Sequence, residues 1–223
     1  MVGPRGTSPP AGPTDRYPQI GPPAAADTGR VARIGERRPP AQPADDEQET
    51  RRTAILAAAL RLGAVRELDH IHAQEIAAEA GVALRTLYRY YPSKHHVYAA
   101  VLTEQVSRFR PPEPTGDTVD DIVALMVRAC RNLLRHRHLA HAMITSTQIV
   151  RARADAGDDP TMRDLILRTA GVDVADPEQV RRARLIQQTA FGIMTWTVGG
   201  ALSGPDAVAD LETACRLLAA GAF

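Results

Sequence analysis

Cysteine is nearly absent from this 223-residue chain: there are two, Cys130 and Cys215, both inside apolar helical patterns. Two thiols so placed exclude a disulfide-built scaffold and fit small core residues in a reducing cytosol. Long apolar runs are missing as well. None approaches the ~20 residues that a membrane-spanning helix needs. No apolar segment follows the first arginine, as a signal peptide would require. A cytoplasmic protein with no membrane partner is expected. An excess of one charge is also lacking, with 27 Lys plus Arg against 26 Asp plus Glu and a formal net charge of +1. Overall charge therefore does not announce a nucleic-acid partner, and any such signal has to come from local patterning.

Two further absences narrow the class. No segment alternates apolar and polar residues with period two, so no strand is expected and the fold class is all-α. There is no G-x-S-x-G, no glycine-rich phosphate loop after a strand and no H-E-x-x-H, so an enzyme is not expected, nor a cofactor. The acid pair Asp158-Asp159 stands alone in a loop and reads as a helix cap rather than an acid/base pair.

What is present divides the chain in three. Residues 1–44 hold ten of the seventeen prolines and six of the sixteen glycines, with almost no large apolar residue. Such a segment cannot bury enough surface to offset its ordering entropy, so a disordered tail is expected. Its Arg30, Arg33, Arg37 and Arg38 can touch DNA as basic arms do, although the composition favours a simple solvated tail. Residues 45–110 read as a helical head and residues 117–223 as a second helical domain. The cluster Pro111-Pro112-Glu113-Pro114 with Gly116 marks the junction between them.

The head is the informative part. A first helix over Asp46–Arg66 places Ile55, Ala59 and Leu62 on one stripe, with Arg51 and Arg52 near its start. Ile71 anchors the connector that follows. Ala73, Ile76, Ala77 and Ala80 share one face of a second helix, which Gly81 stops. A third helix begins near Leu84 and carries Leu84, Leu87 and Tyr91 inward. Arg85, Thr86, Arg89 and the hydroxyls of Tyr88 and Tyr90 are left to face outward. Two short helices joined by a turn with glycine make a helix-turn-helix. From Gly81 to His96 there are two arginines, one lysine, two histidines and three tyrosines but no acid. Arg forks onto guanine and Thr reaches a base edge, while Tyr hydroxyls and Lys94 suit phosphate oxygens. An amphipathic pair with an ordinary solvated basic face is the alternative. Ser93 is expected to cap a fourth helix that bridges to the second domain.

The stretch from Ile76-Ala77 through Gly81-Val82 to Thr86-Leu87-Tyr88-Arg89-Tyr90-Tyr91-Pro92-Ser93-Lys94 resembles the DNA-binding signature of TetR-type regulators. The resemblance covers Arg51 to Leu102. It implies DNA contacts from Thr86, Tyr88, Tyr90 and Lys94, with Arg85 and Arg89 setting sequence preference. Arg51, Arg52, Gln74, Ala83 and Leu84 complete the candidate surface. It also implies a homodimer, most often a repressor, with a ligand pocket in its second domain.

That second domain reads as wholly helical, with helices over Thr118–His136, His138–Ala154, Asp159 or Thr161 to Gly171, Pro177–Leu202 and Pro205 onward. The last two are apolar on more than one face, and Gly192 and Gly199 permit close approach, so pairing with a second copy is expected, with burial inside the monomer as the alternative. Inward methionines and aromatics suggest an apolar pocket between helices, with Met126, Cys130, Leu134, Met143, Thr147, Phe191, Met194 and Trp196 as candidate liners. The stretches Asn132-Leu133-Leu134, His138-Leu139-Ala140 and Leu211 to Leu218 are similar to KstR-type regulators of steroid catabolism, which implies a steroid or acyl-CoA effector. His136, His138 and His141 raise a metal-responsive alternative. They lack the further ligands a metal site needs, and no metal is expected. An architectural DNA binder without effector would share the head but not need this second domain.

Overall fold

The computed structural model describes residues 46–153, 159–172, 176–221 and 223. The tail at 1–44, its four arginines, Ala154 and Asp158 lie outside the described residues. Nine α-helices follow one another among them: α1 (Asp46–Val65), α2 (Ala73–Glu79), α3 (Leu84–Tyr90), α4 (Lys94–Ser107), α5 (Thr118–Leu134), α6 (Arg137–Arg151), α7 (Thr161–Thr169), α8 (Pro177–Val198) and α9 (Gly204–Ala219). One turn of 3-10 helix, Leu68–His70, joins α1 to α2. No strand occurs among the described residues, and the architecture is all-α with an N-terminal helix-turn-helix, as the sequence implies.

Local chemistry explains most of the boundaries. Gly81 takes φ +68°, and its N–H donates to the Ala78 carbonyl at 3.1 Å while that of Val82 donates to Ala77 at 3.0 Å. These two bonds are a Schellman closure of α2, which needs a left-handed residue at the glycine position. The starts of α5 and α8 are capped by Asp117 and Asp176, whose carboxylates accept from the backbone N–H groups of Asp120 and Gln179. Pro177 sits in the first turn of α8, where its missing donor costs nothing. Ser93 does precede α4, but its side chain caps no backbone N–H. Its hydroxyl lies 2.9 Å from Nδ1 of His96 instead. Gly199 closes the C-terminal end of α8 rather than offering a packing position inside it.

Two apolar cores share the molecule. The first gathers Ile55, Ile71, Ile76, Leu87, Tyr90, Val97 and Tyr98 from the head, and α6 adds Leu139, Ala142 and Met143 to it. The second gathers Ile122, Leu125, Met126, Cys130, Ile166, Ile186, Leu211 and Cys215, to which α6 adds Ile144. Helix α6 is thus a wedge with one face in each core. Gly63 of α1 leaves room for both α4 and α6, since a Cβ there would lie 2.9 Å from the Tyr98 ring and 3.0 Å from Cδ1 of Leu139. Burial pushes the Cys130 and Cys215 thiols up to about 11 and about 12, as expected of structural cysteines.

Candidate nucleic-acid interface and effector cavity

Helix α3 is held from behind. Leu87 is completely buried, and Leu84 packs against the same core from a half-buried or more open position. The exposed side of the element carries Arg85, Tyr88 and Arg89, with Thr86 half-buried beside them, Ala83 exposed at its N-cap and Gln74 exposed in the first turn of α2. The acids of α2 do not face this surface as free charges. Glu79 pairs with Arg61 at 2.8 Å and Glu75 with Arg66 at 2.6 Å, tying α2 to α1. Hydrogen bonds from the Arg66 guanidinium and the His72 backbone hold the Glu75 carboxyl below the usual carboxylate range. No described carboxylate pairs with Arg85 or Arg89, so α3 presents uncompensated positive charge.

Several expected contacts sit elsewhere. Tyr90 is 1% exposed and belongs to the core, so it does not offer its hydroxyl to DNA. It stands three residues after Leu87 on the inward face, and Arg89 stacks on its ring at 5.2 Å from the centroid. Tyr91 is buried beside it, and desolvation pushes its phenol up to about 12. Lys94 donates to the carbonyls of Leu68 and Ile71 at 2.8 and 2.9 Å, latching α4 to the 3-10 turn. Only its third N–H is left for a phosphate. Arg51 pairs with Glu47, and Arg52 with Glu49 at 3.0 Å and Glu104 at 3.6 Å, so both are internally compensated.

A cavity of about 100 Å³ lies between α4, α5, α6, α8 and α9, beside the start of α7. Of the expected liners, Met126, Cys130, Phe191 and Met194 face it, and Sγ of Cys130 lies 3.7 Å from Sδ of Met194. The other four do not. Met143 is in the head core, Thr147 is buried outside the cavity, Leu134 packs toward Gly204, and Trp196 is 66% exposed. Helical spacing places a residue on a face but does not say which neighbour that face meets. Sequence reasoning missed Leu102, Thr103 and Val106 of α4, a helix whose position in the chain suggests only a bridge.

One end of the cavity is polar. The Thr103 hydroxyl donates to the Asp159 carboxylate at 2.6 Å, and the Thr161 backbone N–H at 3.1 Å. Gln187 donates to the Asp159 carbonyl at 3.3 Å, and the Arg151 guanidinium sits 4.8 Å from the Phe191 ring centroid. Burial opposes ionisation of Asp159, but the hydrogen bonds from Thr103 and Thr161 outweigh it and hold the carboxyl below its ordinary value. Between head and cavity, His95 Nδ1 lies 3.1 Å from the buried Ser146 hydroxyl. Desolvation, reinforced by the Lys94 charge, lowers its pKa.

A third surface lies on α8. Leu185, Thr189, Gly192 and Trp196, spaced four, three and four residues apart, form one stripe, and a Cβ on Gly192 would meet nothing within 4 Å. Leu217 of α9 is a further large apolar side chain left 72% exposed. Among the described residues no group of three His, Cys, Asp or Glu converges as metal ligands, and His136 and His138 are simply exposed. No described helix is long and apolar enough to cross a membrane.

Comparison with known proteins agrees with this arrangement. Residues 55–101 match the family model of bacterial regulatory proteins of the tetR family, and residues 116–218 match a tetracyclin repressor-like C-terminal domain. The crystal structure of a TetR transcriptional regulator from Rhodococcus sp. RHA1 is 38% identical, with a TM-score of 0.73 over 79% of this chain and 98% of that one. The structure of Thermus thermophilus FadR, a TetR family transcriptional repressor in complex with lauroyl-CoA, is 28% identical, with a TM-score of 0.54 over 77% of this chain and 95% of the other. The repressor KstR of Rhodococcus jostii is 28% identical over 77% of this chain and 84% of its own length. An uncharacterized HTH-type regulator of Mycobacterium tuberculosis is 30% identical over 52% of this chain, which spans 55% of that protein's length. The chain belongs to the TetR family of bacterial transcriptional regulators.

Proposed function

We propose that the protein is a cytoplasmic, homodimeric repressor that reads an operator through α3 and leaves it when an apolar effector enters the cavity. The observation that carries the DNA reading is the charge arrangement of the head. Acids on α2 are committed to Arg61 of α1 and Arg66 just after it, while Arg85 and Arg89 have no carboxylate partner on an acid-free helix. Guanidinium groups so placed fork onto guanine edges, and Tyr88, Thr86, Gln74 and the Ala83 backbone are placed for phosphates and base edges. The α8 stripe supports the dimer, because an operator read by two heads needs half-sites at a fixed separation of about 34–36 Å.

Steroid and acyl-CoA ligands are the effector class favoured, and lauroyl-CoA on the FadR relative supports it. Size then suggests the mechanism. A cavity of about 100 Å³ is smaller than the roughly 300–1,000 Å³ that holds a drug-sized ligand. Such an effector has to push the lining helices apart. Leu102, Thr103 and Val106 on that lining belong to α4, whose other end is latched to the head by Lys94. An effector that binds the expanded form better shifts the population away from the DNA-competent one.

The test starts by selecting bound duplexes from random DNA. Arg85→Ala should then lose about 1–3 kcal/mol of discrimination between the selected operator and a scrambled one. Titrating the operator complex with lauroyl-CoA, steroidal acids and their CoA esters should release the DNA. Unchanged discrimination in Arg85→Ala would remove the reading head, and silence across the panel would remove the effector class.

A further inference from the structure

No Asp or Glu occurs from Ile122 to Ala154, although acids and bases are balanced over the whole chain. Within that span Arg131, Arg135 and Arg137, with His136 and His138, crowd the junction where α5 ends and α6 begins, and all five are exposed. Several exposed arginines elsewhere are compensated. Arg61, Arg108 and Arg216 each have a carboxylate oxygen within 2.8 Å. Among the described residues no carboxylate pairs with Arg131, Arg135 or Arg137. Arg85 and Arg89 of α3 have none either, nor do Arg110, Arg168 and Arg184, which stand apart from one another in the chain. Like charges gathered without partners repel one another and work against the compact state, so an external anion would relieve the cluster.

Its place in the fold narrows the anion. Leu133 and Leu139 flank the junction and pack on the head core, with Leu139 touching the Gly63 position of α1. On its other side the junction meets the α8–α9 turn. An Arg137 guanidinium nitrogen lies 3.9 Å from where a Gly200 Cβ would be, and Leu134 lies 3.8 Å from that of Gly204. The cluster therefore sits between the reading head and the C-terminal end of α8, the helix whose outer stripe suits a second copy. If the outer stripe of α8 pairs two copies, each copy contributes one such cluster, on the side of the second core that meets the head.

We propose that Arg131, Arg135 and Arg137 form a second DNA contact, to the phosphate backbone between the half-sites and without sequence preference. This rests on the DNA-binding reading above. Arginine suits the task because its fork matches phosphate oxygens. A cation that stops short of the backbone still contributes within the Debye length, about 8 Å at physiological salt.

The experiment measures binding of the intact dimer to the selected operator and to a scrambled duplex across a salt series. The R131Q/R135Q/R137Q variant should lose affinity for both duplexes by the same factor. The slope of log K against log salt should shrink by about 0.9 for each phosphate no longer neutralised, so by at most about 5 for six arginines. An R131K/R135K/R137K variant, which preserves charge, should keep most of the slope. Methylphosphonates between the half-sites should weaken the wild type and leave the glutamine variant unaffected. Unchanged affinity and slope in the glutamine variant would overturn the proposal. So would a defect confined to effector release or to binding of an acidic protein segment. Failure of the wild type to retain any duplex at low salt would instead refute the reading of the head.

Discussion

Gly81 offers the sharpest test of the head, because its two possible costs are separable in the structure. A Cβ at this position would meet nothing within 4 Å, so a side chain causes no clash. The whole penalty must then come from φ +68°, a left-handed conformation that costs an L-residue about 1–2 kcal/mol. Replacing glycine also narrows the unfolded ensemble, which returns about 0.4–1 kcal/mol. Gly81→Ala should therefore destabilise by about 1 kcal/mol, a fall in Tm of roughly 2–4 °C for a domain of this size. Gly81→Asn should lose only a fraction of that, since Asn tolerates the left-handed region, and Gly81→Val should lose more. Melts at matched protomer concentration measure the ranking, and operator titrations add the functional side. If the left-handed residue sets the angle between α2 and α3, Gly81→Val loses operator affinity beyond its loss of stability. Alanine melting with the wild type, or asparagine as damaging as valine, would show that the turn does not depend on φ and would undo this account.

The other perturbations address the second domain. Gly192→Leu places a large side chain on the open stripe of α8, where it disturbs nothing inside the monomer. Sedimentation should show monomers and the operator should be bound far more weakly, while helicity holds or rises because glycine is a poor helix former. An intact dimer would place the pairing surface elsewhere. Asp159 is held below its ordinary pKa, so its contribution is present above the unfolded carboxylate value of about 3.9 and disappears as pH falls through the folded one. Urea midpoints from pH 7 to pH 3 should fall less steeply in Asp159→Asn, and parallel acid limbs would count against the hydrogen-bonded carboxylate.

The fold was legible where one residue type has one physical consequence. Gly81, Gly171, Pro177 and the coil around Pro111–Pro114 all act locally, and each lies at or just beyond a helix end. Period 3.6 identified the inward residues of α2 and, in α3, Leu84 and Leu87, because a helix has only two sides to choose between when one is wet. Ser93 shows the limit. A hydroxyl at an N-cap has more than one acceptor or donor in reach, and His96 outcompeted the backbone.

The candidate site was legible in outline and misleading in two particular ways, both tertiary. A tyrosine hydroxyl looks like an outward group in sequence, yet Tyr90 follows Leu87 by three residues and shares its inward, buried face. A lysine next to a recognition helix looks like a phosphate ligand, yet the carbonyls of Leu68 and Ile71 lie two dozen residues away in sequence and 2.8–2.9 Å from its ammonium in space. The cavity failed for the same reason. Met143 and Ile144 are neighbours in the chain, but α6 is wedged between two cores, so adjacent residues serve different ones. Only a helix with both faces covered produces that split, and only its partners reveal which face meets which core. That arrangement also makes α6 difficult to move alone: a shift of Ile144 in the cavity lining carries Leu139 and Met143 of the head core with it.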